Sequence, residues 1–174
     1  MSKSICDEGK DYTLIYLRHE RLWLMMLRNK KKKDINAGKW IGVGGKAEAG
    51  ESIRDGALRE IREETGIVPD SLDFRGIVNF FYEGEESECM WLYTAETSRM
   101  DTPECSEGTL AWIREEDIMA LELWEGDRIF LKKLLERDEE LIGLDLSYDS
   151  CGNLTGSSEF VVDLRKYDDS VQKI

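Results

Sequence analysis

Residues 45–67, GKAEAGESIRDGALREIREETGI, constrain this chain more than any other stretch. Most of the segment carries the punctuation of a single helix. Ser52, followed three residues later by Asp55, fits a capping box. Gly66 stands where a helix closes on a left-handed residue, and Pro69 follows it. Ile53, Ala57, Leu58 and Ile61 recur at helical spacing and predict a buried stripe. Glu60, Glu63 and Glu64 stand at i, i+3 and i+4 on the same helix. A turn of about 100° per residue brings all three within an arc of about 100°. Each like-charge pair at that spacing costs a few tenths of a kcal/mol (~0.2–0.5) even in solvent. The crowding predicts a divalent cation, and through the cation a phosphate substrate. Magnesium suits such a set because it takes hard oxygen ligands, keeps several waters and is shared with substrate phosphates.

The residues around the acids fit the same expectation. Glu51 lies at the start of the helix, where exposed N–H groups favour an anion. A bidentate pair between Arg59 and Glu51 would clamp the preceding loop to the helix, with Arg59 pointing away from the centre of the acid cluster. Gly42, Gly44 and Gly45 let the backbone come close to a ligand, and Gly44 or Gly45 could offer a carbonyl to a metal.

The rest of the chain reads as one domain of mixed strands and helices. Its 174 residues are the usual size of a single domain, with frayed ends expected at about 1–10 and 166–174. Residues 11–28 predict a β-hairpin, 29–34 a charged loop and 39–46 a strand closing on a glycine turn. Strands follow at 74–82, 89–95 and 110–113, then a short helix at 115–121 and an amphipathic one at 127–137. Two further strands are expected at 143–148 and 159–164.

A formal charge of −13, from 37 acids against 24 bases, opposes nucleic-acid polymers and anionic membranes as partners. A free nucleotide would also be repelled unless metal ions screened it. Cys6, Cys89, Cys105 and Cys151 are widely spaced and are expected as reduced thiols in a cytoplasmic protein. With one histidine, His19, in an exposed turn, zinc is not expected. No segment has the length and apolarity of a membrane span, and the N-terminus lacks the apolar run of a signal peptide.

The segment resembles the Nudix box, Gly-x5-Glu-x7-Arg-Glu-U-x-Glu-Glu-x-Gly-U with U aliphatic. Gly45, Glu51, Arg59, Glu60, Ile61, Glu63, Glu64, Gly66 and Ile67 match every defined position. The flanking GKWIGVGGKAEAGES is similar to the MutT-type branch, which includes 8-oxo-dGTP diphosphatases. The resemblance implies an α+β fold, an α/β/α sandwich around a mixed sheet. It implies Mg²⁺- or Mn²⁺-dependent hydrolysis of a nucleoside triphosphate to monophosphate and pyrophosphate, in a monomer or homodimer. The alternatives are another nucleoside-diphosphate substrate, such as ADP-ribose or a dinucleoside polyphosphate, and a non-catalytic nucleotide-sensing domain.

By position, Glu60, Glu63 and Glu64 would be metal ligands, with the Gly44 carbonyl completing the set. Glu60, Glu63 and Glu107 would be the catalytic carboxylates, Glu107 being the extra acid that the family supplies from outside the box. Gly45, Glu51 and Arg59 would support them. Arg28 and Lys46 would hold phosphate oxygens. Tyr12, Thr13, Trp40, Trp124 and Asp127 would line the nucleoside pocket, with Trp124 stacking on a purine. Asp127 is also the expected N-cap of the last helix. Relatives of the mammalian type carry an asparagine where this chain has Ile41 and a second acid where it has Gly126.

Overall fold

The structure, a computed structural model, describes residues 10–167. The element order is β1 (Asp11–His19), β2 (Leu22–Leu27), β3 (Trp40–Ile41), α1 (Ile53–Thr65), β4 (Ser71–Tyr82), β5 (Glu88–Glu96), β6 (Thr109–Arg114), α2 (Glu115–Ile118), α3 (Asp127–Leu135), β7 (Ile142–Tyr148) and β8 (Leu154–Glu159). Most of the expected termini lie outside the described residues, and Leu164–Lys166 form one 3-10 turn.

β1 sets the layering. Its period-two alternation sends Leu14 and Tyr16 to one face, where they join Phe130, Leu131 and Leu134 of α3. Ile15 and Leu17 go to the other face, with Ile53, Ala57 and Ile61 of α1. The two helices therefore cover opposite faces of a mixed sheet, which is the α/β/α sandwich expected from the resemblance. β1 runs parallel to β5, β5 antiparallel to β4, β4 parallel to β7 and β7 antiparallel to β8.

β2 pairs with β1 only beside their turn, at Arg18↔Trp23 and His19↔Leu22. Beyond that it splays away to pair with β3 and β6. The strand expected at 39–46 is therefore divided. Trp40 and Ile41 pair with β2, while Val43 and Lys46 bridge to Ile15 and Tyr12 of β1. The crossing between the two pairings needs glycine. Gly44 has φ 146°, and a Cβ there would lie 2.0 Å from the Thr13 carbonyl oxygen. This crossing places the Gly44–Gly45 backbone beside α1.

Several boundaries differ from expectation. α2 is four residues long, and α3 stops at Leu135, with Arg137 taking φ 56°. The last strand is 154–159 rather than 159–164, because Asp149 Oδ1 accepts from the N–H groups of Cys151 and Asn153 (both 2.9 Å) and turns the chain back at once. Phe160 and Val162, the apolar residues behind the expectation, pack on the α1-side core instead. His19 is half-buried and donates from Nδ1 to the Thr97 carbonyl (2.9 Å). Cys105 and Cys151 are free, but Cys89 is disulfide-bonded, which corrects the expectation of four reduced thiols.

Candidate active site

α1 is held at both ends. Ser52 Oγ accepts from the Asp55 N–H (3.0 Å), and Gly66, at φ 71°, returns its N–H to the Arg62 carbonyl. Burial of Ile53, Ala57 and Ile61 fixes the helix's rotation, so the acid ridge faces the glycine crossing. Glu64 is 8% exposed, and its Oε2 accepts from the Gly44 N–H (3.0 Å). Burial, with repulsion from Glu60 and Glu107, pushes its carboxyl up to about 8 against that hydrogen bond. Burial also raises Glu60, with Arg59 opposing. A Cβ on Gly45 would lie 2.5 Å from Glu60 Oε1, so glycine at this position makes room for that carboxylate.

Arg59 makes the expected clamp, with Nε to Glu51 Oε2 (3.1 Å) and Nη2 to Glu51 Oε1 (2.8 Å). It does not point away from the acids. Nη1 also reaches Glu60 (2.9 Å) and Glu63 (3.2 Å), because one planar fork can serve several carboxylates. The Arg59 hydrogen bonds hold Glu51 below the usual carboxylate range.

The three acids share a ridge but their head groups part. Glu60 and Glu64 line the cleft, whereas Glu63 is not among its lining residues and its side chain is 59% exposed. Among the described residues no three His, Cys, Asp or Glu side chains are already gathered about one point. Such an open set fits an ion that keeps waters and completes its shell with phosphate oxygens.

The cleft holds about 300 Å³. It is lined by Glu60, Glu64, Glu107, Arg28, Thr13 and the Gly44–Gly45 backbone, and by Tyr12, Asn36, Ile41, Glu88 and Met90. Arg28 is fixed by Asp34 (2.6 Å) and lies 3.5 Å from Glu107, which also takes Lys31 (2.6 Å). The Gly45 carbonyl accepts from the Thr13 N–H (2.9 Å) and hydroxyl (3.2 Å).

Four expected binding residues lie elsewhere. Lys46 is exposed, and its carbonyl rather than its ammonium serves the site by accepting from Arg59 (3.3 Å). Trp40 packs against the α3-side core. Trp124 is 6% exposed, edge-on to Tyr82 and Tyr148, and donates its indole N–H to Asn36 Oδ1 (2.8 Å). Asp127 is not the N-cap. Gly126 takes that position, and the Asp127 carboxyl is buried with Oδ1 lacking a hydrogen-bond partner. Burial lifts that carboxyl to about 8. Tyr16, also buried with an unpartnered hydroxyl, and Tyr82 both feel its charge.

The NUDIX domain family model matches residues 11–134, including the whole acid ridge and the loop carrying Glu107. The chain is a Nudix hydrolase. It is 34% identical over 128 residues to the oxidized purine nucleoside triphosphate hydrolase of Mus musculus, covering 72% of this chain and 80% of the relative. The protein of the same name from Danio rerio is 31% identical over 113 residues, covering 64% and 72%. Among solved structures, the MutT protein from Bacillus halodurans superposes with a TM-score of 0.73 at 25% identity, over 86% of this chain and 96% of that one. No helix among the described residues of this Nudix hydrolase is long and apolar enough to cross a membrane.

Asn36 and Glu88 escape a reading of the sequence. Asn36 sits in a lysine-rich loop, and Glu88 is one of several acids in 83–88; only the pairing of β1 with β5 puts Glu88 beside Tyr12.

Proposed function

We propose that this hydrolase converts a purine nucleoside triphosphate to monophosphate and pyrophosphate with Mg²⁺ or Mn²⁺, with oxidised purines such as 8-oxo-dGTP as preferred substrates. One observation carries the reading: a single cleft is lined by Glu60, Glu64, Glu107 and Arg28 together with the Glu88 carboxylate and the Asn36 amide.

The donor set fits a divalent ion. Burial raises Glu60 and Glu64, with repulsion from Glu63 and Glu51 on the first and from Glu60 and Glu107 on the second, and a cation beside them would lower both. Glu60, Glu63 and Glu64 would hold it with the Gly44 carbonyl, since the Gly45 carbonyl is already engaged by Thr13. When bound, the ion supplies charge neutralisation on the phosphates and a more acidic water.

The chain's own residues position the reaction. Arg59 fixes Glu60, leaving one carboxylate edge facing the cleft to orient the attacking water and accept its proton. Glu107, held by Lys31 and Arg28, is the second candidate for that proton. Arg28 offers its guanidinium to phosphate oxygens. Positioning and electrostatics of this kind dominate displacement at phosphorus.

Toward the base, Glu88 accepts hydrogen bonds. The Asn36 amide, oriented by the Trp124 N–H, presents Nδ2 as a donor. A carboxylate beside an amide suits a purine edge carrying an N–H donor next to an acceptor. The second acid of mammalian-type relatives cannot stand at 126, where a Cβ would meet the Tyr148 hydroxyl at 2.4 Å. Glu88 takes that acceptor role here.

A nucleotide panel with and without EDTA, scored for pyrophosphate against phosphate release, tests this. Pyrophosphate release, fastest with 8-oxo-dGTP, is expected. A rate on 8-oxo-dGTP no greater than on dGTP removes the oxidised-purine preference, and faster turnover of ADP-ribose removes the triphosphate reading.

A further inference from the structure

A hollow of about 560 Å³ lies at the far end of the sheet from the cleft. Tyr12 and Thr13 of the cleft begin β1, whereas Arg18, which lines the hollow, stands near its end. Four arginines line it: Arg18 from β1, Arg54 from α1, Arg75 from β4 and Arg137 from beyond α3. Asp73 and Glu139 are the acids among the lining residues. Arg75 is there because of a bulge. The register of β4 against β5 shifts between Phe74 and Gly76, so Arg75 has no partner in the ladder and its side chain is re-aimed.

The arginines are only partly satisfied by protein. Arg18 Nη2 meets Glu96 (2.5 Å), Arg54 Nη1 donates to the Leu72 carbonyl (3.1 Å), Arg75 Nη2 donates to the Asp138 carbonyl, and Arg137 Nη2 reaches Glu115 (2.6 Å). Each bond uses one edge of a guanidinium. Arg18 Nε, Arg54 Nη2 and Arg75 Nε remain buried without an acceptor among the described residues. The hollow is thus walled by guanidinium groups from four segments of the chain, three of which also keep a buried N–H without an acceptor among the described residues. Buried donors are ordinarily paired, and guanidinium stays charged at any physiological pH. In a chain of charge −13, an arginine-lined recess of this kind is a selective feature rather than part of a general basic surface.

We propose that this hollow is a second anion site, taking a small phosphate-type oxyanion and sharing no residue with the hydrolytic cleft. An oxyanion with acceptors in several directions suits guanidinium groups arriving from four segments, as a single planar carboxylate does not.

The test is calorimetric titration of inorganic phosphate into the EDTA-treated full chain at fixed ionic strength. Arg54→Gln, Arg75→Gln and, as the cleft control, Glu60→Gln are titrated alongside. One saturable site is expected in the wild type and in Glu60→Gln. Each arginine variant should weaken it about tenfold or more, the loss of one charge-assisted hydrogen bond. Metal-dependent nucleotide turnover by the arginine variants should stay at the wild-type rate, since neither residue touches the cleft. Titration with a nucleoside monophosphate separates a phosphate ester from the free ion, and tighter binding of either upholds the site. Absence of saturable binding in the wild type overturns the proposal whatever the variants do. Equal phosphate affinity in the wild type and both arginine variants also overturns it.

Discussion

Asp127→Asn removes a buried charge while keeping the shape of the side chain. In the wild type the carboxyl is 2% exposed, Oδ1 has no hydrogen-bond partner, and burial lifts its pKa from 3.8 to about 8. Lys39 and Arg128 offset only part of that cost. Between those two pH values the folded chain retains a proton that the unfolded chain has released. Stability therefore falls as pH rises through this window and is level on either side. At about 1.4 kcal/mol per unit, the full fall is on the order of 6 kcal/mol, a large share of a domain's ~5–15 kcal/mol. Urea denaturation in EDTA at pH 5, 7 and 8.5 reads it directly. The wild type should lose several kcal/mol across the series, and Asp127→Asn should lose less and exceed the wild type at pH 8.5. Parallel curves for the two proteins would refute the idea that Asp127 is a buried acid whose proton is taken up on folding.

Glu60→Gln should lower kcat by about a hundredfold or more with denaturation unchanged, as expected for a general base or metal carboxylate. Glu63→Gln should also cut turnover by two orders of magnitude if this exposed acid binds metal, and a wild-type rate would remove it from the mechanism. Arg59→Lys keeps the charge but loses the fork to Glu51. It should cost roughly 1.5–3 kcal/mol by urea denaturation and lower kcat as well, because Glu60 loses its tether. Gly45→Ala should depress turnover more than stability, since its methyl group would displace the Glu60 carboxylate; an unchanged KM for magnesium together with unchanged kcat would contradict this.

α1 is legible because its signals are local: a cap, a left-handed stop and a stripe of Ile53, Ala57 and Ile61 lie within 15 residues. The pairing of Arg59 with Glu51 is legible for the same reason. The pocket is not, because it is assembled from distant pieces. Glu88 joins Tyr12 only through the parallel pairing of β1 and β5, and Asn36 is set by a bond to Trp124, 88 positions away. Trp124 and Asp127 show a second limit. A tryptophan and an acid before a helix read equally well as ligand-facing or structural, and only burial separates them. Trp124 is packed and bonded, while Asp127 is packed and left without a partner for Oδ1.

The proposed hydrolytic acids Glu60 and Glu64 belong to one helix secured by its own ends, whereas the proposed base contacts Tyr12, Asn36 and Glu88 come from two strands and a loop. The two groups have no residue in common. Nucleobase preference in this scaffold can therefore be rewritten by a handful of strand and loop replacements while the cutting machinery stays intact, which makes the chain a practical starting point for re-targeted nucleotide-cleaving enzymes.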